Sequence, residues 1–405
     1  MPLIQPFRAL RPAPGRAADV LAPPYDVLSS AEARERAKGK PWSFLHISKP
    51  EIDLDPSVDV HDPKVYAKAA ENLRRQTDAG VLVRDAQPAY YAYRLTREGR
   101  TQTGLACVAS VADYETNRIR KHELTTPVKE DDRVHQIEAI NAQTGPVMMG
   151  YRDAPALDAA LAGATKGKPD IDVTADDGVR HEMWPIPDAG AIAHITATVD
   201  TLPALYIADG HHRSAAASRV ARARGSRGST AWFLSVLFPE REMLILDYNR
   251  VLKTLNGQTP ESLLAALATH FAVATSADPV RPGASNEFGM YLAGRWYRLT
   301  LRRDRVPADP VGRLPVTLLS ENVLVPLFGV SDQRTDKRID FVGGGRGLSE
   351  LARRVASGEM AVAFALYPTQ MTDLMAVADA GKIMPPKSTW FEPKLADGVV
   401  SHVLD

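Results

Sequence analysis

The sequence has one cysteine, no net charge and no long apolar run, and each absence excludes a class of protein. Because Cys107 has no second cysteine to pair with, an intramolecular disulfide is excluded and a reducing compartment is favoured. No segment reaches the roughly 18 uninterrupted apolar residues that a membrane-spanning helix needs. The 49 basic residues balance the 49 acidic ones, so no charge excess indicates nucleic acid or an anionic membrane as a partner.

Two further patterns are missing. The first residues contain prolines and arginines but no apolar stretch of secretory length, so we expect a cytoplasmic protein. A zinc site is disfavoured, because there is one cysteine and no His or Glu stands four residues after His211 or His212 to complete a helical ligand pair. The chain of 405 residues contains 44% apolar and 24% charged residues. This length and composition are typical of a globular protein with two or three domains.

The patterns along the chain predict three regions of mixed α+β structure, at residues 1–112, 113–255 and 256–405. The first begins with a proline-rich extended arm of about 30 residues. Asp62-Pro63 then predicts the start of a helix that continues to Gly80. Apolar runs on either side of Glu98-Gly99 predict a hairpin, and two further strands around Pro239-Glu240 would close the second region.

The third region is predicted to contain a helix at 261–271 and strands at 287–292, 296–301 and 360–367. A glycine run at 343–347 lacks the GKS or GKT ending of a P-loop and has no clear strand before it, so we interpret it as a flexible turn. A helix at 370–380 should end at Gly381.

The polar, proline-bound segment 384–394 follows that helix. Taken by itself, it is interpreted as a rigid surface loop. However, Lys387, Ser388 and Thr389 are donors that would suit a phosphate or a carboxylate. With Trp390 and Phe391 available as anchors, we expect this segment to close over the site that contains Asp209.

The stretch LYIADGHHRSAAA at residues 205–217 is the centre of the functional hypothesis. An apolar strand ends at Asp209-Gly210, and an alanine-rich helix follows. Backbone N–H groups at such a helix start favour an anion, and His211, His212 and Arg213 add donors. The Asp209 carboxylate would serve as a metal ligand or a proton acceptor. The alternative is that the His-His-Arg run is only a solvated or capping cluster.

A second polar stretch, at residues 117–133, contains Lys121, His122 and Glu123 side by side. Most charge runs of this kind are solvated faces. Here a cation, an imidazole and a carboxylate stand together, which is also a combination that proton-transfer chemistry uses.

Four motifs together, APPYDV, IRKHELTTPVKEDDR, ADGHHR and MPPKSTWFEPKL, resemble a widespread bacterial family filed as a domain of unknown function. Parts of the chain also resemble the free-serine kinase of archaea, whose nucleotide-binding domain has the ParB/sulfiredoxin fold. A His-Glu pair, a DGHHR turn and a late S-P-K-T-T segment occur there in the same order. The resemblance implies a ParB/sulfiredoxin-like core, at residues 113–255, between added N- and C-terminal α/β domains.

The same resemblance implies roles for single residues. Glu123 would be the catalytic glutamate, and Asp209 would belong to the phosphate-binding turn. The chemistry of phosphoryl transfer, apart from the resemblance, suggests Asp209 as a catalytic residue and the metal ligand. The phosphates of the nucleotide would bind Gly210, His211, His212 and Arg213. The substrate would meet His122, Lys387, Ser388 and Thr389. This chain differs from the archaeal kinase in its N-terminal domain, in extra chain between Glu123 and Asp209, and in Trp390.

Three functions follow from these residues as hypotheses. The first is a kinase that uses ATP or ADP with Mg²⁺ to phosphorylate a small hydroxylated metabolite, most simply free L-serine. The second is a ParB-like nucleotide-binding switch, which the balanced charge and the lack of an evident helix-turn-helix disfavour. The third is the reverse chemistry, a phosphatase that acts on a small phosphorylated metabolite. The expected partners are a nucleotide and a small-molecule substrate, without nucleic acid or membrane.

Overall fold

The computed structural model describes residues 1–405, and helices and strands alternate through the chain, which confirms the mixed α+β class. The helices are, in chain order, α1 Ala17–Val20, α2 Ser30–Ala37, α3 Leu45–Ser48, α4 Pro63–Asp78, α5 Val111–Glu115, α6 Pro127–Ile140, α7 Pro155–Ala164, α8 Ala189–Asp200, α9 His211–Ala223, α10 Pro260–Leu267, α11 Pro315–Leu319, α12 Val325–Phe328, α13 Gly347–Ala356 and α14 Met371–Asp379. None of them is both long and apolar enough to cross a membrane.

The strands form four sheets. They are, in chain order, β1 Ile4–Gln5, β2 Ala9–Pro12, β3 Leu82–Arg84, β4 Tyr90–Arg97, β5 Arg100–Ser110, β6 Ile119–Arg120, β7 Ala142–Gln143, β8 Val147–Tyr151, β9 Ile171–Thr174, β10 Arg180–Ile186, β11 Leu205–Asp209, β12 Trp232–Pro239, β13 Leu244–Leu246, β14 Tyr248–Leu252, β15 Phe271–Ser276, β16 Glu287–Leu292, β17 Arg295–Leu301, β18 Ile339–Gly343, β19 Val362–Leu366, β20 Trp390–Glu392 and β21 Ser401–Val403.

The chain forms two compact units, Met1–Met243 with Pro393–Asp405, and Leu244–Glu392. These limits differ from the predicted boundaries at residues 112 and 255. β5 pairs with β12 in the same sheet as β8, so no unit ends at residue 112. β13 pairs with β20 in the second unit, which therefore begins before residue 255. Sequence patterns identify a strand but do not show which strand it pairs with, and that pairing decides the boundary.

A nine-stranded sheet is the centre of the first unit, in the order β6-β11-β8-β12-β5-β4-β10-β9 with β1 on β5. Its apolar face packs against α7 and α8 through residues such as Leu157, Leu161, Ile195 and Val199. Cys107 lies fully buried in this core, as its apolar neighbours in the sequence predict. The strands are therefore a rigid support for the loops at their ends.

Two predictions for the N-terminal region are confirmed. Helix α4 begins as expected, because the Asp62 side chain accepts a hydrogen bond from the Lys64 N–H and Pro63 occupies the first turn. Strands β4 and β5 form the expected hairpin. Glu98 and Gly99 at its turn both have positive φ, as a tight hairpin turn requires.

A four-stranded sheet, β3-β2-β21-β7, joins the two ends of the chain within the first unit. β2 pairs with β21 through Ala9 and His402. Ala22 exchanges two backbone hydrogen bonds with Asp397, at 3.1 and 2.9 Å. The APPYDV motif is therefore fixed against the C-terminal residues.

The second unit contains a six-stranded sheet, β15-β17-β16-β19-β14-β18, with α13 packed on β19 through Leu351. Two expectations are wrong here. A strand, β18, does precede the glycine run at 343–347, and α13 follows it. The segment 384–394 is not wholly a surface loop, since it contains β20 and buries Ser388 and Phe391. Because Trp390 and Phe391 anchor the segment, it is less exposed than its polar composition suggests.

Candidate functional site

The loop with His122 and Glu123 and the turn with Asp209 lie at the same edge of the large sheet. β6 and β11 are parallel neighbours, with Ile119 opposite Leu205. Because parallel strands end at the same edge, the segments that follow them are brought together. The sequence separates these segments by more than 80 residues, so this pairing is what assembles the site.

Helix α9 begins directly after a glycine, and any other residue at that position would be strained. Gly210 has φ of +103°, in the left-handed region, and α9 has no side-chain cap at its N-terminus. A Cβ atom added at Gly210 would lie 3.0 Å from the Arg213 Nε atom. The start of α9 therefore presents N–H groups without a side-chain acceptor, an arrangement that favours an anion.

Asp209 is engaged in two ion pairs. One carboxylate oxygen accepts a hydrogen bond from Arg213 Nη2, and the other lies 3.3 Å from Lys394 Nζ. Burial alone would raise the pKa of Asp209, but the charges of Lys394 and Arg213 outweigh it and hold this pKa well below its usual range. The carboxylate is therefore ionised, and both of its oxygens are occupied.

Arg213 is largely internal, with 10% of its side chain exposed. Its guanidinium donates a hydrogen bond to the Pro146 carbonyl as well as to Asp209. A guanidinium has five N–H donors in a planar fork, so these two bonds leave further donors available. The structure thus gives Arg213 a role in holding the turn that the sequence pattern did not predict.

His122, Glu123 and His211 form a cluster whose ligand atoms lie within 4.8 Å of one another. The two imidazole rings stand edge to face with centroids 4.4 Å apart. His211 Nδ1 is 3.7 Å from Glu123 Oε2. Burial lowers the pKa of His122 to about 4 and that of His211 well below its usual value, so both rings are neutral at pH 7.

His212 points to the loop between β6 and α6. Its Nε2 atom accepts a hydrogen bond of 3.2 Å from the Thr126 N–H. Burial lowers the pKa of His212 as well, so it is neutral rather than a cationic phosphate ligand at pH 7. The hydrogen bond ties the DGHHR turn to the TTP segment at the start of α6.

Two charged residues near Glu123 in the sequence have partners of their own. Lys121 donates to the Tyr114 carbonyl at 3.0 Å and lies over the Tyr114 ring. Arg133 pairs with Asp132. With 53% of its side chain exposed, Glu123 is the accessible member of the cluster.

Residues from both chain ends complete the site, and the sequence reasoning assigned them no role. Lys394, from the EPKL end of the last motif, pairs with Asp209. Asp397 accepts a hydrogen bond from the Tyr25 N–H at 3.1 Å. Burial raises the pKa of Asp397 to about 7, against the opposing effect of Arg213. The signal was present, because Tyr25 and Lys394 both lie in motifs that support the family resemblance.

The predicted substrate residues of the late segment belong to the second unit. Arg250, which is fully buried, donates to the Lys387 carbonyl at 3.0 Å. Lys387 has positive φ, and its ammonium lies 5.6 Å from the centre of the Tyr248 ring. Ser388 donates to the Pro385 carbonyl, and Thr389 is half-buried. That this segment closes over Asp209 stays a prediction.

Comparison with protein families gives one decisive match. The model of a family described as "Protein of unknown function (DUF1015)" matches residues 4–317, more than three quarters of the chain. The chain belongs to this family. The resemblance drawn from the four motifs is thereby confirmed at the level of the family. A search of curated proteins found no significant match.

Solved structures show only distant likeness. A conserved hypothetical protein from Pyrococcus furiosus is 12% identical with a TM-score of 0.36, covering 73% of this chain and 94% of its own. A free serine kinase in complex with AMP is 13% identical, with a TM-score of 0.34 and coverage of 71% and 86%. SbnI with C-terminal truncation from Staphylococcus aureus is 13% identical, with a TM-score of 0.36 and coverage of 72% and 85%. Likeness at this level carries no argument about function.

Proposed function

We propose that the protein is a nucleotide-dependent phosphotransferase that phosphorylates the hydroxyl group of a small metabolite, with free L-serine or a related hydroxy acid as the simplest acceptor. One observation carries the proposal: the uncapped, glycine-led start of α9 lies beside the accessible carboxylate of Glu123. Phosphoryl transfer needs donors that hold phosphates and a carboxylate that orients the attacking hydroxyl. The first unit contains both at one sheet edge.

The phosphate groups of ATP or ADP would bind at the start of α9. The backbone N–H groups after Gly210 point out of the helix, and the helix dipole adds a positive potential there. Arg213 would contribute the guanidinium donors that Asp209 and Pro146 leave available. His211 and His212, both neutral, would line the phosphates rather than neutralise them.

Magnesium would enter this site with the nucleotide. Mg²⁺ is usually held by substrate phosphates, waters and one or two carboxylates. The sequence suggests Asp209 as a ligand, but its two oxygens already face Arg213 and Lys394. The positive charges of Arg213 and Lys394 beside these oxygens would oppose the binding of a further cation. In the proposal Asp209 therefore mainly holds Arg213 in position, and its catalytic contribution is indirect.

Glu123 would accept the proton of the acceptor hydroxyl. The hydroxyl oxygen forms a bond to the terminal phosphorus, its O–H bond breaks, and the proton moves to the Glu123 carboxylate. The bond from that phosphorus to the bridging oxygen breaks, and the shortened nucleotide leaves with the electron pair. The exposure of Glu123 leaves room for an acceptor. His122, whose side chain is buried, would limit how far the acceptor enters.

The test is direct. Purified protein is incubated with ATP or ADP, magnesium and a panel of hydroxy compounds that includes L-serine, and phosphorylated products are sought by mass spectrometry. Glu123→Gln should bind nucleotide nearly normally but lose roughly 10²–10⁴-fold in turnover, the usual contribution of a general base.

Glu138→Gln is the matched control, since it removes an exposed carboxylate of the same unit outside the site. It should retain full turnover. Nucleotide binding without product across the panel would contradict the phosphotransferase and favour a nucleotide-binding switch. Full activity in folded Glu123→Gln protein would remove Glu123 from the mechanism.

A further inference from the structure

We propose that His122, Glu123 and His211 bind one divalent transition-metal ion, of the zinc or cobalt kind rather than magnesium. The three side chains offer two imidazole nitrogens and one carboxylate oxygen within 4.8 Å of one another. Two histidines and one carboxylate are a donor set that proteins use for zinc and for ferrous iron, with coordination positions left open. The inference concerns ion binding and does not depend on phosphoryl transfer.

The strongest observation is the environment of His122. Its side chain is buried, with 2% exposed, and neither ring nitrogen has a well-aligned hydrogen bond. The Ile207 backbone reaches one nitrogen of the ring with poor hydrogen-bond geometry, and the other nitrogen has no protein partner. Buried polar atoms are rarely left without a partner, and an ion is one of the partners that explains such a case. A bond from His122 to a metal would satisfy a nitrogen that no protein group satisfies.

The other two ligands can adapt to an ion. Ligand atoms lie about 2.0–2.2 Å from zinc, so their mutual distances are about 3.3–3.6 Å in a tetrahedral site. His211 Nδ1 and Glu123 Oε2 are 3.7 Å apart, close to that value. The His122 backbone N–H donates a long hydrogen bond of 3.5 Å to His211 Nε2. A bond of this length is weak enough for His211 to give up when an ion binds its Nδ1 atom. The Glu123 carboxylate lies on the half-exposed side of the cluster, where an ion would have access to solvent.

The choice of ion follows from the donors. Imidazole nitrogen favours zinc, cobalt, nickel, copper and iron, whereas magnesium takes oxygen ligands and keeps its waters. A three-ligand site with one exposed member also leaves coordination positions for water or a substrate oxygen. A carboxylate oxygen bound to such an ion cannot accept a proton. Protein that carries the transition-metal ion should therefore transfer phosphate more slowly than protein supplied with magnesium.

The test measures binding on the full-length protein, without nucleotide or substrate. Protein freed of metal with a chelator is titrated with Co²⁺, whose visible absorbance reports its ligands, and with Zn²⁺ in competition with a coloured chelator. We expect one equivalent of either ion to bind and millimolar Mg²⁺ not to displace it. Metal binding with no nucleotide binding would overturn the proposed function and leave this inference standing.

Three variants identify the site. Glu123→Gln and His211→Gln should each weaken Co²⁺ and Zn²⁺ binding by at least roughly 10- to 100-fold, the loss seen when even outer partners of a metal site are removed. His194→Ala, an exposed histidine on α8, should bind as the unsubstituted protein does. Because Glu123 is exposed, its variant should fold even if His211→Gln does not, and melting curves check this. Unchanged affinity in folded Glu123→Gln, or less than one equivalent bound by the unsubstituted protein, would overturn the inference.

Discussion

Each unit contains a glycine turn that leads from a strand into a helix, but the two turns have opposite surroundings. Gly210, between β11 and α9, has φ of +103° and faces the Arg213 guanidinium. Gly344, between β18 and α13, faces the Asp247 carboxylate, whose Oδ1 would lie 2.2 Å from an added Cβ. The first turn would attract an anion and the second would repel one. The run at 343–347 contains more glycines than the turn at Gly210, but a carboxylate rather than a guanidinium faces it.

The largest difference between the two turns should appear when an arginine is removed. Arg213→Ala takes away a buried partner of Asp209 and a donor to Pro146. We expect a loss of about 3 kcal/mol in unfolding free energy. Arg346→Ala, at the exposed arginine of the second turn, should cost less than about 0.5 kcal/mol. Chemical denaturation of both variants measures these values.

Arg213→Lys separates stability from binding in the same experiment. A lysine keeps the charge beside Asp209 but lacks the planar fork. It should recover part of the stability and still bind ATP or ADP more weakly than the unsubstituted protein, as measured by calorimetry. Unchanged nucleotide affinity in that folded variant would contradict the assignment of Arg213 to phosphate binding.

The next difference concerns pH. Asp397, in the network of the first turn, has its pKa raised to about 7 by burial. At pH values between the unfolded and the folded pKa, Asp397 keeps its proton in the folded state, whereas the unfolded chain has lost it. The resulting stability is fully present below pH 4 and is lost as the pH rises through 7. Asp397→Asn should remove this loss, up to about 3 kcal/mol between pH 5 and pH 8.

In the second unit, the contribution of Asp340 to stability should change with pH in the opposite direction. Burial would raise the pKa of Asp340, but Arg354 lowers it below its usual value. The stability that Asp340 contributes is therefore present above its unfolded pKa and is lost as the pH falls. Unfolding of Asp397→Asn and Asp340→Asn measured from pH 2 to pH 8 should show opposite effects: the first removes a loss of stability as the pH rises towards 7, and the second removes a loss of stability as the pH falls below about 4. A pH profile of Asp397→Asn parallel to that of the unsubstituted protein would contradict a proton held on Asp397.

The smallest effects distinguish the two glycines. Gly210→Ala places an L-residue at φ of +103° and costs about 1–3 kcal/mol. Gly344→Ala crowds the Asp247 carboxylate and costs a similar 1–3 kcal/mol. Only Gly210→Ala should weaken nucleotide binding. Calorimetry on both folded variants measures this, and equal loss of affinity in both would mean that the turn at Gly210 holds no phosphate.

Several elements of the fold could be predicted because they depend on neighbours in sequence. Asp62-Pro63 predicts the start of α4, and the residues around Glu98-Gly99 predict the β4–β5 hairpin. Strand β11, the glycine break and helix α9 also occur where the pattern places them. The boundaries at residues 112 and 255 did not match the observed units, because they depend on which strands pair and not on where strands occur. The ParB/sulfiredoxin-like core stays a prediction.

By itself, the sequence determined the residue types of the site, the helix start at Gly210 and the family to which the chain belongs. The tertiary structure decided which of those residues meet. It placed Lys394, near the C-terminus, on Asp209 in the middle of the chain, and it placed Tyr25 on Asp397, which joins the two chain ends. It also brought His122 and Glu123 to His211, a ligand set that spacing along one helix disfavoured. The reason is physical, because parallel pairing of β6 with β11 joins segments that no local pattern connects.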